Sequence, residues 1–180
     1  MVFAHDTEVA LQAAAALVNT DDNGEELLPD LAALNEFARG WSWTGAYAQT
    51  DAELRAIHEL RPRLRRVWEV GEDEAVEIVN RLLRDAHALP QLVKHDGWDY
   101  HLHAVPQHAP LATRMAVEAA MAFVDVIRSG ELNRLRICDY QGCGAVVVDL
   151  SKNRSKRFCD GSCGNRAAVA AYRARKAAAR

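Results

Sequence analysis

The four cysteines of this 180-residue chain lie near its C-terminus and form two pairs, Cys138 with Cys143 and Cys159 with Cys163. Four residues separate the members of the first pair, three separate those of the second, and fifteen lie between the pairs. Two close thiolate pairs joined by a short loop are typical of tetrahedral zinc sites. Because sulfur would fill all four positions, the pattern predicts one structural Zn2+ with no position for a catalytic water.

Two other interpretations account for the cysteines less well. Four buried or unpaired thiols would not need this pairing and spacing, and a redox pair is disfavoured because no Cys-x-x-Cys heads a helix after a predicted strand. In the zinc interpretation, Phe158 packs over the site as part of a very small core. Metal binding would then supply much of the folding free energy of the segment, on the order of 10 kcal/mol.

Charge is distributed unevenly along the chain. Residues 1–149 contain 13 Lys and Arg against 24 Asp and Glu, whereas residues 150–180 contain 9 against 1. This polarity predicts a C-terminal segment that meets a polyanion, carried by a body that does not. The predicted nucleic-acid contacts are Lys152, Arg154, Lys156, Arg157, Asn165, Arg166, Arg173 and Lys176.

The segment after the last cysteine has the composition of a basic helix. Arg166, Arg173 and Arg180 recur every seven residues, which places them within about 40° of one another on a helix. Within this stripe, Arg166 and Arg173 are the better candidates for contact with a base edge. The alternative for the whole segment is a solvated basic tail.

Three other residues of this helix have predicted structural roles. Asn165 follows the last cysteine closely, so capping the helix is at least as strong an interpretation as contact with DNA. Val169 and Tyr172 lie on an adjoining face of the helix, and we predict that they dock on the finger.

The elements ahead of the cysteines must position this module. Apolar periodicity predicts helices over residues 6–19, 27–38, 51–70, 72–88 and 111–129, with Asp6 or Thr7 capping the first and Pro62 kinking or ending the third. Asp96-Gly97 predicts a β-hairpin between residues 92 and 103. The predicted fold is mostly α with a small β-hairpin. A helical domain spans residues 1–132, and a four-cysteine zinc finger that ends in a basic helix spans residues 133–180.

Four of the seven histidines fall between residues 95 and 108. His101 and His103 alternate on a predicted strand and therefore point to one face. No third ligand has convincing spacing, so a polar face of the hairpin is favoured over a second metal site. An enzyme would place its pocket near these histidines and the indoles of Trp41, Trp43 and Trp98. The sequence contains no P-loop, no dinucleotide-binding glycine motif, no GxSxG and no HExxH, and we predict no enzymatic activity.

The sequence also predicts a compartment. No stretch is long and apolar enough to span a membrane. The alanine-rich run from Val9 to Val18 contains Gln12 and follows Asp6 and Glu8, so it is predicted to be an ordinary helix and not a signal peptide. Without export the protein is expected in the cytoplasm, where thiols stay reduced and available to a metal.

The motif Cys163-Gly164-Asn165-Arg166 resembles the signature of the CGNR zinc fingers, and residues 151–159 are similar to that family's serine- and arginine-rich approach to its third cysteine. Residues 17–20 (LVNT), followed by two leucines at 27 and 28, resemble the opening of the ABATE domain, the usual N-terminal partner of this finger. Phe158 stands where the family commonly has tryptophan, and Val147 replaces a frequent aromatic residue. The resemblance implies zinc ligation by all four cysteines and a bacterial, stress-induced transcription regulator.

These observations predict a zinc-dependent DNA-binding transcription regulator whose N-terminal domain senses a ligand or mediates association. Only the family resemblance favours DNA, because the charge fits equally well a module that binds RNA or an acidic protein surface. One finger offers a small interface, so a homodimer through the N-terminal helices is also expected. A buried pocket with converging polar groups would support a sensor or a small enzyme, and a perturbed titratable group there would favour the enzyme.

Overall fold

The computed structural model describes residues 2–22, 24–41, 43, 48–94 and 99–178. These residues contain six α-helices: His5–Val18 (α1), Leu31–Gly40 (α2), Asp51–Glu69 (α3), Glu72–Asp85 (α4), Leu111–Arg128 (α5) and Gly161–Ala178 (α6). A short 3-10 helix, Leu132–Arg134, follows α5. Strands form three antiparallel pairs: Asp21–Asp22 (β1) with Glu25–Glu26 (β2), Gln91–Val93 (β3) with His101–His103 (β4), and Leu135–Ile137 (β5) with Val146–Val148 (β6). The predicted fold class, mostly α, is confirmed.

Helix α5 is the centre of the helical part, and it packs against α1, α3 and α4. Its apolar residues occupy most of its circumference, so that Leu111, Met115, Phe123 and Val126 are all buried. The Phe123 ring meets the Trp68 indole of α3 edge to face, with the ring centroids 5.2 Å apart. Pairs of this geometry contribute about 0.5–1.5 kcal/mol beyond the burial of their surface. The core is therefore built around one fully surrounded helix.

Helix starts differ from the sequence prediction by a few residues. α1 begins at His5 and no side chain caps it, so the predicted caps Asp6 and Thr7 are wrong. Thr7 Oγ1 instead donates to Asp125 Oδ2 of α5 at 2.6 Å. α2 begins four residues later than predicted, because Asp30 caps it by accepting a hydrogen bond from the N–H of Ala33 at 2.9 Å.

Pro62 lies inside α3 and does not end it, whereas a kink at this residue stays a prediction. Proline removes the hydrogen bond to the carbonyl four residues earlier, that of His58. Pro62 is exposed, so water can solvate this carbonyl. Buried Leu60, Leu64 and Val67 hold the helix against the core on both sides of the proline. Tertiary packing thus outweighs the local penalty.

The predicted hairpin is present as β3 and β4, in which Leu92 is paired with Leu102 and Val93 with His101. The Asp96-Gly97 turn lies outside the described residues, as do His95 and Trp98. None of the helices described combines the length and the apolar character that crossing a bilayer requires.

The strands of the finger complete the core of the helices. Leu135 of β5 and Val146 and Val148 of β6 belong to the same buried cluster as α1, α3 and α5. The β5–β6 pair packs onto the C-terminal half of α1 and onto α3. The hydrophobic core therefore extends past residue 132, and a domain boundary at that residue stays a prediction.

Candidate metal centre

The sulfur atoms of Cys138, Cys143, Cys159 and Cys163 all lie within 4.8 Å of one another. Cys143 Sγ is 3.8 Å from Cys159 Sγ, and Cys159 Sγ is 3.6 Å from Cys163 Sγ. Four sulfurs at zinc–sulfur distance in a regular tetrahedron would be about 3.8 Å apart. Cys138 and Cys163 are buried, whereas Cys143 and Cys159 are partly exposed. The residues therefore fit a tetrahedral metal ion, as the sequence predicted.

Short-range hydrogen bonds shape the turn that carries the first pair. The Cys138 N–H donates to the Ala145 carbonyl at 2.9 Å, and the Cys143 N–H donates to the Tyr140 carbonyl at 2.9 Å. Gly142 adopts a φ of +85°, a conformation that residues with a side chain rarely adopt. The turn thereby brings both sulfurs to one side of the β5–β6 pair.

The second pair is set by the start of α6. Asp160 Oδ1 accepts hydrogen bonds from the Cys163 N–H and from Ser162 Oγ, each at 2.8 Å, and the bond from Cys163 lowers the pKa of Asp160. Asp160 is therefore the residue that caps the helix, and the prediction that Asn165 does so is wrong. Asn165 lies inside α6 and is exposed, because the helix already begins at Gly161.

Bringing four thiols together has an electrostatic cost that a cation would remove. Burial raises the pKa of Cys159, and its thiol neighbours raise it further. Burial also raises the pKa of Cys138, but hydrogen bonds from the N–H groups of Tyr140 and Cys159 outweigh burial, so that this pKa is lowered overall. Thiols that coordinate a divalent metal ionise together.

Arg166 supports the centre from outside. Its guanidinium NH2 lies 3.3 Å from Cys163 Sγ, and its Cζ lies 4.7 Å from the centroid of the Tyr140 ring. The negative charge of Cys163 raises the pKa of this arginine. Charged donors to ligating atoms orient the ligands and stabilise their ionised form.

A small apolar shell covers the cysteines, as predicted. Phe158, Tyr140, Ala145 and Cys143 pack against a cluster formed by Cys138, Val147 and Cys163. A side chain at Gly164 would meet the Phe158 ring at 3.5 Å, an ordinary contact distance. Val147 is 2% exposed, so an aliphatic side chain here fills the place of the aromatic residue frequent in the family.

Three side chains of the helical part bind the main chain of the finger. Asn19, just after α1, exchanges two hydrogen bonds with the backbone of Val146, at 2.9 and 2.8 Å. Trp68 Nε1 donates to the Val147 carbonyl at 3.1 Å, and Arg65 donates to the Gly144 carbonyl at 2.7 Å. Sequence reasoning missed all three roles. Asn19 lies in the LVNT motif, whose resemblance to the opening of the ABATE domain gives no sign of this hydrogen-bonding role.

The basic loop between β6 and Cys159 is organised by a buried carboxylate. Asp149 is fully buried and accepts hydrogen bonds from the N–H and hydroxyl of Ser151 and from the Lys156 N–H. Burial raises the pKa of Asp149, but these bonds outweigh it and the pKa is lowered. Arg134, also buried, donates to the carbonyls of Asp149 and Ser151 at 2.9 Å. The loop therefore has a defined shape that does not depend on the metal alone.

Two of the predicted nucleic-acid contacts in this loop form ion pairs within the protein. Arg154 makes two hydrogen bonds to Glu131, at 2.6 and 3.0 Å, and these raise the pKa of Arg154. Arg157 donates to Asp139 at 2.7 Å. Lys152 and Lys156 are exposed and have no ion-pair partner among the described residues. Arg154 and Arg157 would have to leave their carboxylates, or share them, to reach a phosphate.

Helix α6 is exposed along nearly all of its length and carries no acidic residue. At 100° per residue, six side chains share an arc of about 120°: Asn165, Arg166, Val169, Tyr172, Arg173 and Lys176. The opposite half of the helix contains Cys163, Gly164, Arg175 and six alanines, so most of the polar arc points away from the metal centre, whereas Arg166 reaches back to Cys163 Sγ. Val169 and Tyr172 are 48% and 59% exposed, and the prediction that they dock on the finger is wrong. Arg175, not among the predicted contacts, is a further cation of α6 but lies about 60° outside this arc.

A cavity of about 510 Å3 lies in the helical part, between α1, α5, β4 and the indoles of Trp41 and Trp43. Asp6, Thr7, Arg114, Glu118 and Asp125 are among its polar lining residues. Burial raises the pKa of Glu118 to about 7, and Arg114 offsets only part of the effect. The enzyme alternative placed a pocket near the indoles and the histidines, but the sequence gave no signal for Glu118, which has the spacing of an ordinary helix residue.

His101 and His103 line one wall of this cavity. Their Nε2 atoms are 2.9 Å apart, which confirms that the two imidazoles share a face of the strand. The His101 Nδ1 atom lies 2.7 Å from the Asp99 carbonyl. Among the described residues, the four cysteines are the one group of three or more ligands that could hold a metal, and the two histidines belong to no such group.

Comparison with known families agrees with this architecture. Residues 134–176 match the family model "CGNR zinc finger". Residues 11–130 match the family model "ABATE", described as "Putative stress-induced transcription regulator". No curated protein matches the chain. The order of the two matches, and their positions, confirm the resemblance stated from the sequence.

Proposed function

The chain belongs to the ABATE family, with a CGNR zinc finger after it, and from this premise we propose that it is a zinc-dependent regulator of transcription that binds duplex DNA. In this proposal Cys138, Cys143, Cys159 and Cys163 hold one structural Zn2+. The finger and α6 contact DNA, and the helical part senses a ligand. The observation that carries the proposal is α6 itself, an exposed helix with four cations and no acid, fixed at its first turn to the metal centre.

The dimensions of α6 suit a groove of DNA. Eighteen residues of helix are about 27 Å long, and the major groove is about 12 Å wide and admits one helix. The polar arc offers both kinds of group that recognition needs. Arg173 and Lys176 can neutralise phosphates or contact guanine, Asn165 can contact adenine, and Val169 can meet a thymine methyl group.

The structure separates the predicted nucleic-acid contacts into residues that are free to bind phosphate and residues that are engaged within the protein. Arg173 and Lys176 have no ion-pair partner among the described residues, and together with Lys152 and Lys156 they form the proposed phosphate-binding set. Arg154 and Arg157 are paired with carboxylates and are proposed to position the loop. Arg166 contacts Cys163 Sγ, so its proposed role is support of the metal site.

A physical route joins the cavity to the finger. α1 contributes Asp6, Thr7, Ala10 and Ala13 to the cavity, and Asn19 at its other end holds β6. A ligand that shifts α1 would therefore act directly on the strand between the two cysteine pairs. The polar lining of the cavity fits a sensor or a small enzyme, and the raised pKa of Glu118 is the feature that favours the enzyme. The sensory role is proposed because the family match is to a transcription regulator.

Salt-dependent binding to duplex DNA tests the proposal. Random DNA duplexes that bind the zinc-loaded protein should be enriched in a preferred sequence. The affinity of the protein for that duplex should fall steeply as the salt concentration rises. Arg173→Gln and Lys176→Gln should each reduce the logarithmic salt slope by about 1. Arg154→Gln, a loss of the same charge from a residue paired with Glu131, is the matched control and should change the slope less. A flat response to salt would refute the proposed interface.

A second function is supported by the same charge: a zinc module that binds RNA or an acidic protein. Stacking of the exposed Tyr172 ring on an unpaired base is the feature that favours single-stranded RNA. Competition between the selected duplex and single-stranded RNA of equal length separates the two functions. Stronger binding to RNA, with no enriched duplex sequence, would favour this second function.

A further inference from the structure

The cavity between α1, α5 and β4 contains a well-buried carboxylate, that of Glu118. Glu118 belongs to α5, and within the described part of the chain no donor is bonded to its carboxylate. The nearest charge that affects it is the Arg114 guanidinium, one turn earlier on the same helix. A carboxylate removed from water without a hydrogen-bond donor is poorly solvated, and a ligand that supplies a donor would gain from it.

Two other acceptors of the cavity are also carboxylates. Asp125 accepts a hydrogen bond from Thr7 at 2.6 Å, and Asp6 lines the same region at the start of α1. The guanidinium groups that line the cavity are those of Arg114, whose Nε donates to the Ala109 carbonyl at 3.0 Å, and Arg128, which is exposed. Three carboxylates against two guanidinium groups, one of them at the surface, favour a cationic ligand.

The walls are suited to the body of such a ligand. Trp41 and Trp43 present indoles to the cavity, and Val117, Met121 and Ala13 contribute apolar surface. Indole faces attract organic cations as well as apolar groups. The volume, about 510 Å3, lies in the range of sites for small organic molecules.

We propose that this cavity binds a protonated organic amine with an aromatic or branched apolar body, and that its ammonium group pairs with the Glu118 carboxylate. The inference rests on the proposed sensory role of the helical part and gives that role a class of ligand. Glu118 is the specificity-determining residue, since its carboxylate is well buried and, unlike that of Asp125, has no donor among the described residues. The indoles contact the apolar body of the ligand. A shift of α1 on binding would move Asn19 and, through it, strand β6 of the finger.

A matched series of three indoles tests the charge preference. Tryptamine, 2-(indol-3-yl)ethanol and indole-3-propionate share one ring system and carry a cationic, a neutral and an anionic group. Isothermal titration calorimetry on the full chain loaded with zinc, at pH 8, should give tryptamine a Kd at least tenfold below that of the other two. Equal affinities, strongest binding of the propionate, or no binding of tryptamine at millimolar concentration would each overturn the proposal.

Two substitutions locate the site. Glu118→Gln keeps the shape of the side chain and should weaken tryptamine binding tenfold or more while leaving the neutral alcohol unchanged. Glu77→Gln, the same change at an exposed position of α4, should alter neither. Unchanged tryptamine binding in the folded Glu118→Gln variant would refute the assignment, and the three-ligand series decides the charge class even if that variant does not fold. The titrations contain no DNA, so their outcome is independent of whether α6 binds a duplex.

Discussion

Single residues of this protein have roles that their chemical type alone does not reveal. Arg166 and Arg173 are seven positions apart on one helix and are equally basic. The structure places Arg166 against Cys163 Sγ and the Tyr140 ring, whereas Arg173 extends from the exposed part of α6. Because Arg166 lies next to the cysteines and Arg173 does not, we assign Arg166 to support of the candidate metal site and Arg173 to the proposed interface.

Metal retention should distinguish these two arginines. Arg166→Gln removes a charged donor from a ligating sulfur and should weaken Zn2+ affinity by about tenfold or more. Arg173→Gln, on the same helix but away from the sulfurs, should leave the affinity unchanged. Competition with a chromophoric chelator measures both. Equal affinities for the two variants would show that Arg166 does not act on the metal site.

Glu118 should make the stability of the protein depend on pH. Burial raises its pKa to about 7 in the folded state, from an ordinary value of 4.5, so folding favours its protonated form. Glu118 therefore contributes to the free energy of unfolding. This contribution is fully present below about pH 4.5 and is lost as the pH rises through 7. The loss approaches about 3 kcal/mol, since each pKa unit corresponds to about 1.4 kcal/mol.

The Glu118→Gln variant checks this dependence. Its amide does not ionise, so urea unfolding should show that the variant gains stability relative to the native chain between pH 5 and pH 8. The expected gain is about 1–3 kcal/mol. Glu77→Gln, at an exposed position, is the control and should show no such trend. A difference between Glu118→Gln and the native chain that does not change with pH would contradict the raised pKa.

At the scale of elements, the β5–β6 pair is held to the helices by side chain to main chain bonds. Asn19 satisfies both the N–H and the carbonyl of Val146, and Val146 is 2% exposed. Losing these bonds would leave two backbone groups without partners in a place that water reaches poorly. Unpaired buried groups of this kind cost about 1–3 kcal/mol each.

Asn19→Ala should therefore lower the free energy of unfolding by about 2–4 kcal/mol. Asn80→Ala, an exposed position of α4, provides the matched control and should change stability by less than about 0.5 kcal/mol. Thermal or urea unfolding measures both variants. Similar effects of the two substitutions would mean that the contact between Asn19 and β6 does not stabilise the protein.

The elements also show which features the sequence could predict. The cysteine spacing, the periodicity of α5 and the alternation around the hairpin depend on local pattern, and each of these predictions is confirmed. Pro62 inside α3 and Asp160 as the cap of α6 were missed, because buried neighbours hold α3 together and α6 begins five residues earlier than a cap at Asn165 would imply. The bonds from Asn19, Arg65 and Trp68 join residues more than 75 positions apart, and no local pattern encodes such a distance.

At the scale of the whole molecule, charge divides the chain into an acidic body and a basic helix that follows the candidate metal centre. α6 makes no contact with the acidic helices strong enough to bury its cations, and it is anchored at its first turn by Cys163. An isolated helix of this length is only marginally stable in water, even when rich in alanine. The order of α6 should thus depend on the metal more than the order of α1 to α5 does.

Removing the metal should reveal this difference. A strong zinc chelator is expected to reduce the helical circular dichroism by the share that α6 contributes and to abolish binding to duplex DNA. The helical core should still unfold in one cooperative transition, at a lower Tm. Zn2+ should restore the signal, whereas Mg2+ should not, because thiolates bind Mg2+ poorly. Complete unfolding on chelation would show that the core cannot form without the metal.

The shared core of β5, β6 and the helices has a consequence for how this protein can be divided. The two family matches end at residue 130 and begin at residue 134, which suggests a natural point of cleavage. A chain cut there would remove Leu135, Val146 and Val148 from the core and expose the Trp68 indole that bonds to Val147. Fragments 1–130 and 134–180 should consequently behave as complementary halves that are poorly soluble apart and that reassemble when mixed. A chain that matches two separate family models would then fold as a single cooperative unit.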